Sequence, residues 1–187
     1  MSEAPDPSAP AAPSGARHFA AGLARDWGVA LAVVVAVFLM FNLLFPAKAP
    51  SLGPAADFTL DNLDGAAVTL SDLSHEHDLL VLNFWFTSCP PCRAEIPHLA
   101  AWADANPDVP LYGVSTDVNM SSQVLAGASK VLGINYPVLH DVRARAARSY
   151  GVDVFPTTLI IRDMEIVQSR VGAIDRTILE EMVDRVR

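Results

Sequence analysis

The chain reads as one long apolar run followed by many short ones. From Trp27 to Phe45 only Gly28 and Asn42 interrupt the apolar residues. About 19 residues at helical rise cover about 28 Å, close to the hydrocarbon thickness of a bilayer. The pattern therefore predicts a transmembrane helix over 27–46. A signal peptide's apolar core is shorter, about 7–15 residues, and Pro50 would follow the cleavage-like Ala47-Lys48-Ala49. Arg17 and Arg25 precede the run and Lys48 follows it. That asymmetry puts the N-terminus in the cytoplasm and the chain beyond the run on the opposite side.

After the run the periodicity shortens. Phe58-Thr59-Leu60 and Ala67-Val68-Thr69-Leu70 flank Asn62-Leu63-Asp64-Gly65, which predicts an N-terminal β-hairpin. Ser71 is placed to cap a short turn, and His75-Glu76-His77-Asp78 reads as a solvated loop. Leu79–Phe84 is a short apolar run of buried-strand type, and the segment from Arg93 to Trp102 reads as a helix containing Pro97. Leu111–Ser115 predicts a strand, Ser121–Leu132 a helix stopped by Gly133, and Tyr136–Leu139 a further strand. Asp141 is placed to cap a helix ending near Tyr150. Thr157–Ile161 and Ile166–Val171 form a last hairpin, whose Arg162-Asp163-Met164-Glu165 turn has no glycine and leaves the turn type open. Asp175 precedes a final amphipathic helix with Ile178, Leu179, Met182, Val183 and Val186 at helical spacing. Strands alternating with helices predict an α/β domain.

Composition divides the chain further. Residues 1–26 open with a Pro-, Ala- and Ser-rich stretch without periodic apolar content, expected to be a disordered cytoplasmic tail. Residues 47–55, punctuated by proline, read as an extended linker, which leaves 56–187 as the folded domain. The formal net charge of −8, with no basic run, argues against a nucleic-acid partner.

The two cysteines, Cys89 and Cys92, are too few for a disulfide scaffold and make one redox pair. A structural zinc site usually needs four ligands, so no metal is expected here, and no cofactor. Cys89 falls at a strand-to-helix turn, where unpaired N–H groups and the helix dipole favour a thiolate. Pro90 and Pro91 suit the first helical turn, whose N–H groups have no intrahelical partner. Cys89 is then an exposed nucleophile and Cys92 the second thiol that resolves a mixed disulfide.

The form Asn-Phe-Trp-x-x-x-Cys-x-Pro-Cys-x-x-Glu-x-Pro from Asn83 to Pro97, with Phe155-Pro156-Thr157-Thr158 later, resembles the thioredoxin superfamily. Within it the chain is most similar to the membrane-anchored TlpA/ResA branch, from about Asp57 to Arg187. The resemblance implies a thioredoxin-like fold with a central strand–helix insertion between the cysteine helix and Pro156. It implies a cis bond before Pro156, facing the cysteines. Asn83 replaces the buried Asp of thioredoxin, and Glu95 matches a Glu that is an active-site residue in the branch. An ordinary acidic residue favoured by the helix dipole accounts for Glu95 equally well. Trp85 and Phe86 are expected either to frame the site or to sit in the core, and Trp85, Pro90, Pro91 and Phe155 form the expected substrate contacts. The resemblance implies a thiol–disulfide oxidoreductase acting outside the cytoplasm on disulfide-containing proteins. Apocytochrome c is among these, and a membrane electron donor re-reduces the pair. Three alternatives share parts of the pattern: a peroxidase, although the peroxiredoxin Pro-x-x-x-Thr-x-x-Cys motif is absent; a Cu(I)-delivery module using both thiolates; and a passive tethered binding domain.

Overall fold

The computed structural model describes residues 27, 29–40, 43 and 50–187. They belong to two units, Met1–Pro46 and Ala47–Arg187. In the first, residues 27, 29–40 and 43 are helical, and their side chains are exposed. Residues 29–40 rise only about 18 Å, and among the described residues no helix is long and apolar enough to cross a membrane. The tail over 1–26 and the remainder of the 27–46 span lie outside the described residues, as does 47–49 of the linker.

The second unit is an eight-stranded mixed sheet covered by helices. Its strands are β1 (Gly53–Pro54), β2 (Thr59–Asn62), β3 (Ala67–Thr69), β4 (Leu80–Trp85), β5 (Leu111–Ser115), β6 (Val138–His140), β7 (Thr157–Arg162) and β8 (Glu165–Val171). Its helices are α1 (Leu70–Glu76), α2 (Pro90–Ala105), α3 (Ser122–Val131), α4 (Arg145–Ser149) and α5 (Arg176–Asp184). The strand order is β1-β8-β7-β4-β5-β6-β2-β3. The β4–β5 and β5–β6 pairs are parallel, and the other pairs antiparallel.

β4 is central, and all six of its residues are buried. That explains its continuous apolar run, because a strand covered on both faces does not alternate. Leu80, Leu82 and Phe84 pack with α1 and α4 residues Leu70, Leu73, Ala146 and Ala147. Val81 packs with Leu99 and Trp102 of α2 and with Leu179 and Val183 of α5. Trp85 continues that second face toward Cys92 and Leu125 of α3. The inserted strand β6 extends the sheet beyond β5 and receives the N-terminal hairpin along its far edge.

Several local expectations change. Gly53 and Pro54 pair with Ile166 and Glu165, so the sheet takes in part of the expected 47–55 linker. Ser71 lies inside α1, whose Ser71 N–H is instead accepted by the Asp57 carboxylate at 3.0 Å. The same helix runs through His75 and Glu76, in place of the expected loop. The β7–β8 turn is a two-residue connection with Asp163 and Met164 at φ 50° and 59°. Left-handed φ at both positions is the type I′ choice that matches strand twist, adopted here without glycine. Gly133 and Gly151 stop their helices at φ 77° and 65°.

Asp141 caps α4 from a distance. Its buried carboxylate accepts from Arg145 N at 2.8 Å and Ala147 N at 3.0 Å, while Ala144 occupies the N-cap position in the left-handed region. A helix of five residues cannot supply these bonds itself. Asp141→Ala is expected to lower stability by about 2–3 kcal/mol, from the lost cap and two stranded donors. Urea unfolding of the variant against wild type measures this.

Candidate active site

The site forms where β4 ends and α2 begins. The chain leaves Trp85, turns through Phe86-Thr87-Ser88, and enters α2 with Cys89 as N-cap. Cys89 N–H donates to Phe86 O at 3.2 Å, which closes the turn. Pro90 and Pro91 fill the first helical positions and have no N–H to offer. Cys92 N–H donates to Cys89 Sγ at 3.2 Å. Cys89 and Cys92 are joined by a disulfide.

In this disulfide state Cys89 is 3% exposed and Cys92 is fully buried, whereas the sequence suggests an exposed Cys89. The pair is recessed because Trp85, Ile96, Leu125 and Val138 pack around it. Ser88, Pro90 and Pro91 stand exposed beside it. Trp85 is only 1% exposed, so it offers a substrate no surface and is the floor of the site rather than its frame. Phe86 and Phe155 are half-buried and meet edge to face, ring centroids 5.3 Å apart. They form one end of a cleft of about 400 Å³ that continues along Thr116, Val118 and Met120. The Phe155–Pro156 peptide is cis, as the resemblance implies. Thr157 pairs with Phe84, so Pro156 enters the sheet level with Trp85, at the end of β4 from which the cysteine turn emerges.

Glu95, one helical turn after Cys92, is 1% exposed. Its Oε1 accepts from Asn83 Nδ2 at 2.8 Å and its Oε2 from Ile174 N–H at 3.0 Å. Asn83 Nδ2 also donates to Thr158 Oγ1 at 3.1 Å. Burial pushes the Glu95 carboxyl up from 4.5 to about 7, and the two hydrogen bonds oppose that rise without cancelling it. Asn83 thus occupies the place of an acid and orients one instead. A surface residue favoured only by the helix dipole would be neither buried nor bonded in this way.

Sequence reasoning missed Asp117. Its Oδ2 accepts from Thr87 N–H at 2.9 Å and from Ser115 Oγ at 2.8 Å, and its Oδ1 accepts from Thr87 Oγ1 at 2.7 Å. Its backbone oxygen meets His140 Nε2 at 3.0 Å. A charged acceptor with three donors is a firm brace, and it holds the turn two residues before Cys89. The available signal was topological. Parallel β4 and β5 end side by side, so a polar residue just after β5 faces the loop just after β4.

A buried disulfide at a helix start, a carboxyl that titrates near neutrality beside it, and an apolar cleft at the rim are suited to thiol–disulfide exchange. The AhpC/TSA family model matches residues 53–170. The thiol–disulfide oxidoreductase ResA of Halalkalibacterium halodurans is 27% identical over 134 residues, covering 71% of this chain and 75% of the relative. ResA of Bacillus subtilis is 26% identical over 165 residues, covering 86% and 90%. Among solved structures, a putative thiol:disulfide interchange protein DsbE from Chlorobium tepidum superposes with a TM-score of 0.64 at 25% identity, over 72% of this chain and 96% of that one. StoA from Bacillus subtilis shares the fold with a TM-score of 0.59 at 23% identity, over 69% and 97%. With the Cys89–Cys92 pair in that fold, the chain belongs to the AhpC/TSA family and is a ResA-like thiol–disulfide oxidoreductase.

Proposed function

We propose that the protein is a membrane-anchored reductant of protein disulfides outside the cytoplasm, with Cys89 as nucleophile, Cys92 as resolving thiol and Glu95 as the proton acceptor for Cys92. The observation that carries the reading is the Cys89–Cys92 disulfide at the N-terminus of α2, and the buried Glu95 carboxyl one turn beyond Cys92 supports the role given to Glu95. In the reduced protein the Cys89 thiolate attacks a substrate sulfur, and the first substrate thiolate leaves and takes up a proton. Cys92 then passes its proton to Glu95 and attacks Cys89 Sγ. The second substrate thiolate leaves, and the Cys89–Cys92 disulfide forms. A membrane electron-donor protein returns two electrons. Apocytochrome c disulfides fit as substrates, through the likeness to the TlpA/ResA branch. Phe155 and the exposed Pro90 and Pro91 supply the surface for an extended substrate beside Pro156. The peroxidase reading gains no support, since Phe86 and the other residues before Cys89 do not supply the peroxiredoxin motif.

The direction of electron flow depends on what stabilises the Cys89 thiolate. Pro90 and Pro91 remove two N–H donors, and Cys92 N–H is left as the backbone donor to Cys89 Sγ. No histidine lies between the cysteines. A negative Glu95 would disfavour a thiolate further. Each factor stabilises the disulfide relative to the dithiol, so the dithiol is the better electron donor. The midpoint potential is expected near that of thioredoxin, about −270 mV, and not near that of DsbA, about −120 mV. Equilibration with dithiothreitol or glutathione measures it, and a value above about −160 mV would reject the reductase assignment.

The apolar run from Trp27 to Phe45, with Arg17 and Arg25 before it, supports an uncleaved anchor with the N-terminus in the cytoplasm. Protease added to spheroplasts is expected to digest the oxidoreductase domain. Protection of the domain in intact spheroplasts would place it on the other side.

Glu95 also ties stability to pH. Its carboxyl binds a proton more tightly in the folded chain than at its ordinary value of 4.5. The folded state therefore holds more protons between about pH 4.5 and 7, and stability falls as pH rises through that window. A shift from 4.5 to about 7 corresponds to about 3 kcal/mol. Urea titrations of the oxidised full chain are expected to show this fall in wild type, and Glu95→Gln is expected to lack that component.

A further inference from the structure

The cleft beside the cysteines has two walls that belong to different loops. Phe86 stands on the turn between β4 and α2, and Val118 and Met120 stand on the loop after β5. Phe86, Met120 and Phe155 also pack against the cluster that contains Cys89 and Cys92, so the cleft adjoins the disulfide. We propose that Asp117 is a positioning residue that presets this cleft, and that the preset cleft favours polypeptide disulfides with an apolar side chain beside the cysteine over small polar disulfides. This inference rests on the reading of the protein as a reductant of protein disulfides.

Asp117 is bonded to both walls. Its carboxylate accepts from the Thr87 N–H at 2.9 Å and from the Thr87 hydroxyl at 2.7 Å, one residue after Phe86. Its backbone oxygen accepts from the Met120 N–H at 3.1 Å. Thr116 N–H donates to Trp85 O at 3.0 Å, so the loop leaves the sheet level with the cysteine turn. Left to themselves, two such loops would lose conformational freedom only when a substrate came between them. Bonds that converge on one residue remove that freedom beforehand, which is preorganisation.

His140 holds the same loop from behind. Its Nε2 lies 3.0 Å from Asp117 O, and its Nδ1 lies 3.2 Å from the hydroxyl of Ser122, the first residue of α3. A carbonyl only accepts, so Nε2 carries a proton and donates it to the bond. The imidazole is 3% exposed and ties the end of β6 and the start of α3 to the wall of the cleft.

The lining decides the occupant. Phe86, Val118, Met120 and Phe155 present apolar surface, and the Asp117 carboxylate is turned to Thr87 and Ser115. An apolar side chain next to the reacting cysteine of a polypeptide gains free energy by leaving water there. The gain depends on walls already in place, because the cost of ordering them would otherwise be subtracted from it. A small polar disulfide can meet Cys89 without filling the cleft and is indifferent to its width.

The test uses the reduced full-length protein and two substrates, a peptide disulfide with leucine beside its cysteine and bis(2-hydroxyethyl) disulfide. Asp117→Asn keeps the size of the side chain but sets an amide N–H against the donors of Thr87 and Ser115. It is expected to raise KM for the peptide about tenfold, equivalent to about 1.4 kcal/mol, with kcat unchanged. Its kcat/KM for the small disulfide and its midpoint potential should stay at the wild-type values. Thr87→Val leaves Asp117 in place and is expected to act in the same direction, and the double variant should show less than the sum of the two effects. His140→Gln, which keeps an N–H donor, should retain the preference that His140→Leu loses. Equal losses on both disulfides, a wild-type KM for the peptide in Asp117→Asn, or fully additive effects with Thr87→Val would overturn the positioning role. A wild type that reduces neither disulfide would overturn instead the reading on which it rests.

Discussion

A carboxyl buried one helical turn beyond Cys92 needs donors fixed in place, and the Asn83–Glu95–Ile174 contact supplies them. The same three residues tie together the central strand, the cysteine helix and the chain entering α5. Packing on that face therefore depends on the contact as much as proton affinity does. If the carboxyl moved, α2 would lose its polar anchor to the sheet and Asn83 would be stranded in the core. Asn83 donates its amide N–H to the carboxyl and takes no proton itself. Burial dominates the hydrogen bonds, and the balance puts the carboxyl near neutral pH, where donation and acceptance are both accessible.

The turn that carries Cys89 has its own support. Asp117 grips Thr87 through both its backbone and its hydroxyl, and β6 reaches the same loop through His140. The central insertion thus does more than extend the sheet. It holds the loop that holds the turn that positions Cys89. Sheet edge and active site are linked through side chains placed at the carboxyl ends of parallel strands.

Much of this was legible in the sequence, for definite reasons. Leu79–Phe84 was readable because a strand buried on both faces leaves an unbroken apolar run, and Cys89-Pro90-Pro91-Cys92 because proline and an N-cap sulfur mark a helix start. Asp175 announced its helix by local chemistry and its cap forms, while Ser121, read only as a helix start, also caps. What stayed hidden depends on partners distant in sequence. Gly53 and Pro54 become a strand only because β8 offers an edge. Asp57 displaces Ser71 as the acceptor at α1, and Asp117 acts through a strand pairing that no local pattern encodes. Asp163 and Met164 hide a tight turn because neither is glycine. Trp85 and Glu95 were ambiguous until the depth of the site was known, since a tryptophan serves in a core or at a site rim and a glutamate is usually on the surface.

The central claim is that oxidation of the Cys89–Cys92 dithiol and protonation of Glu95 are one coupled process. The pH dependence of the midpoint potential tests it most directly. Two electrons accompanied by two protons give a constant slope of about 59 mV per pH unit, at 29.6 mV per tenfold change in equilibrium constant. If Glu95 and the thiols titrate together, the wild-type plot departs from that slope near pH 7, and the departure disappears in Glu95→Gln. Superimposable plots for the two proteins between pH 5 and 9 would contradict the account.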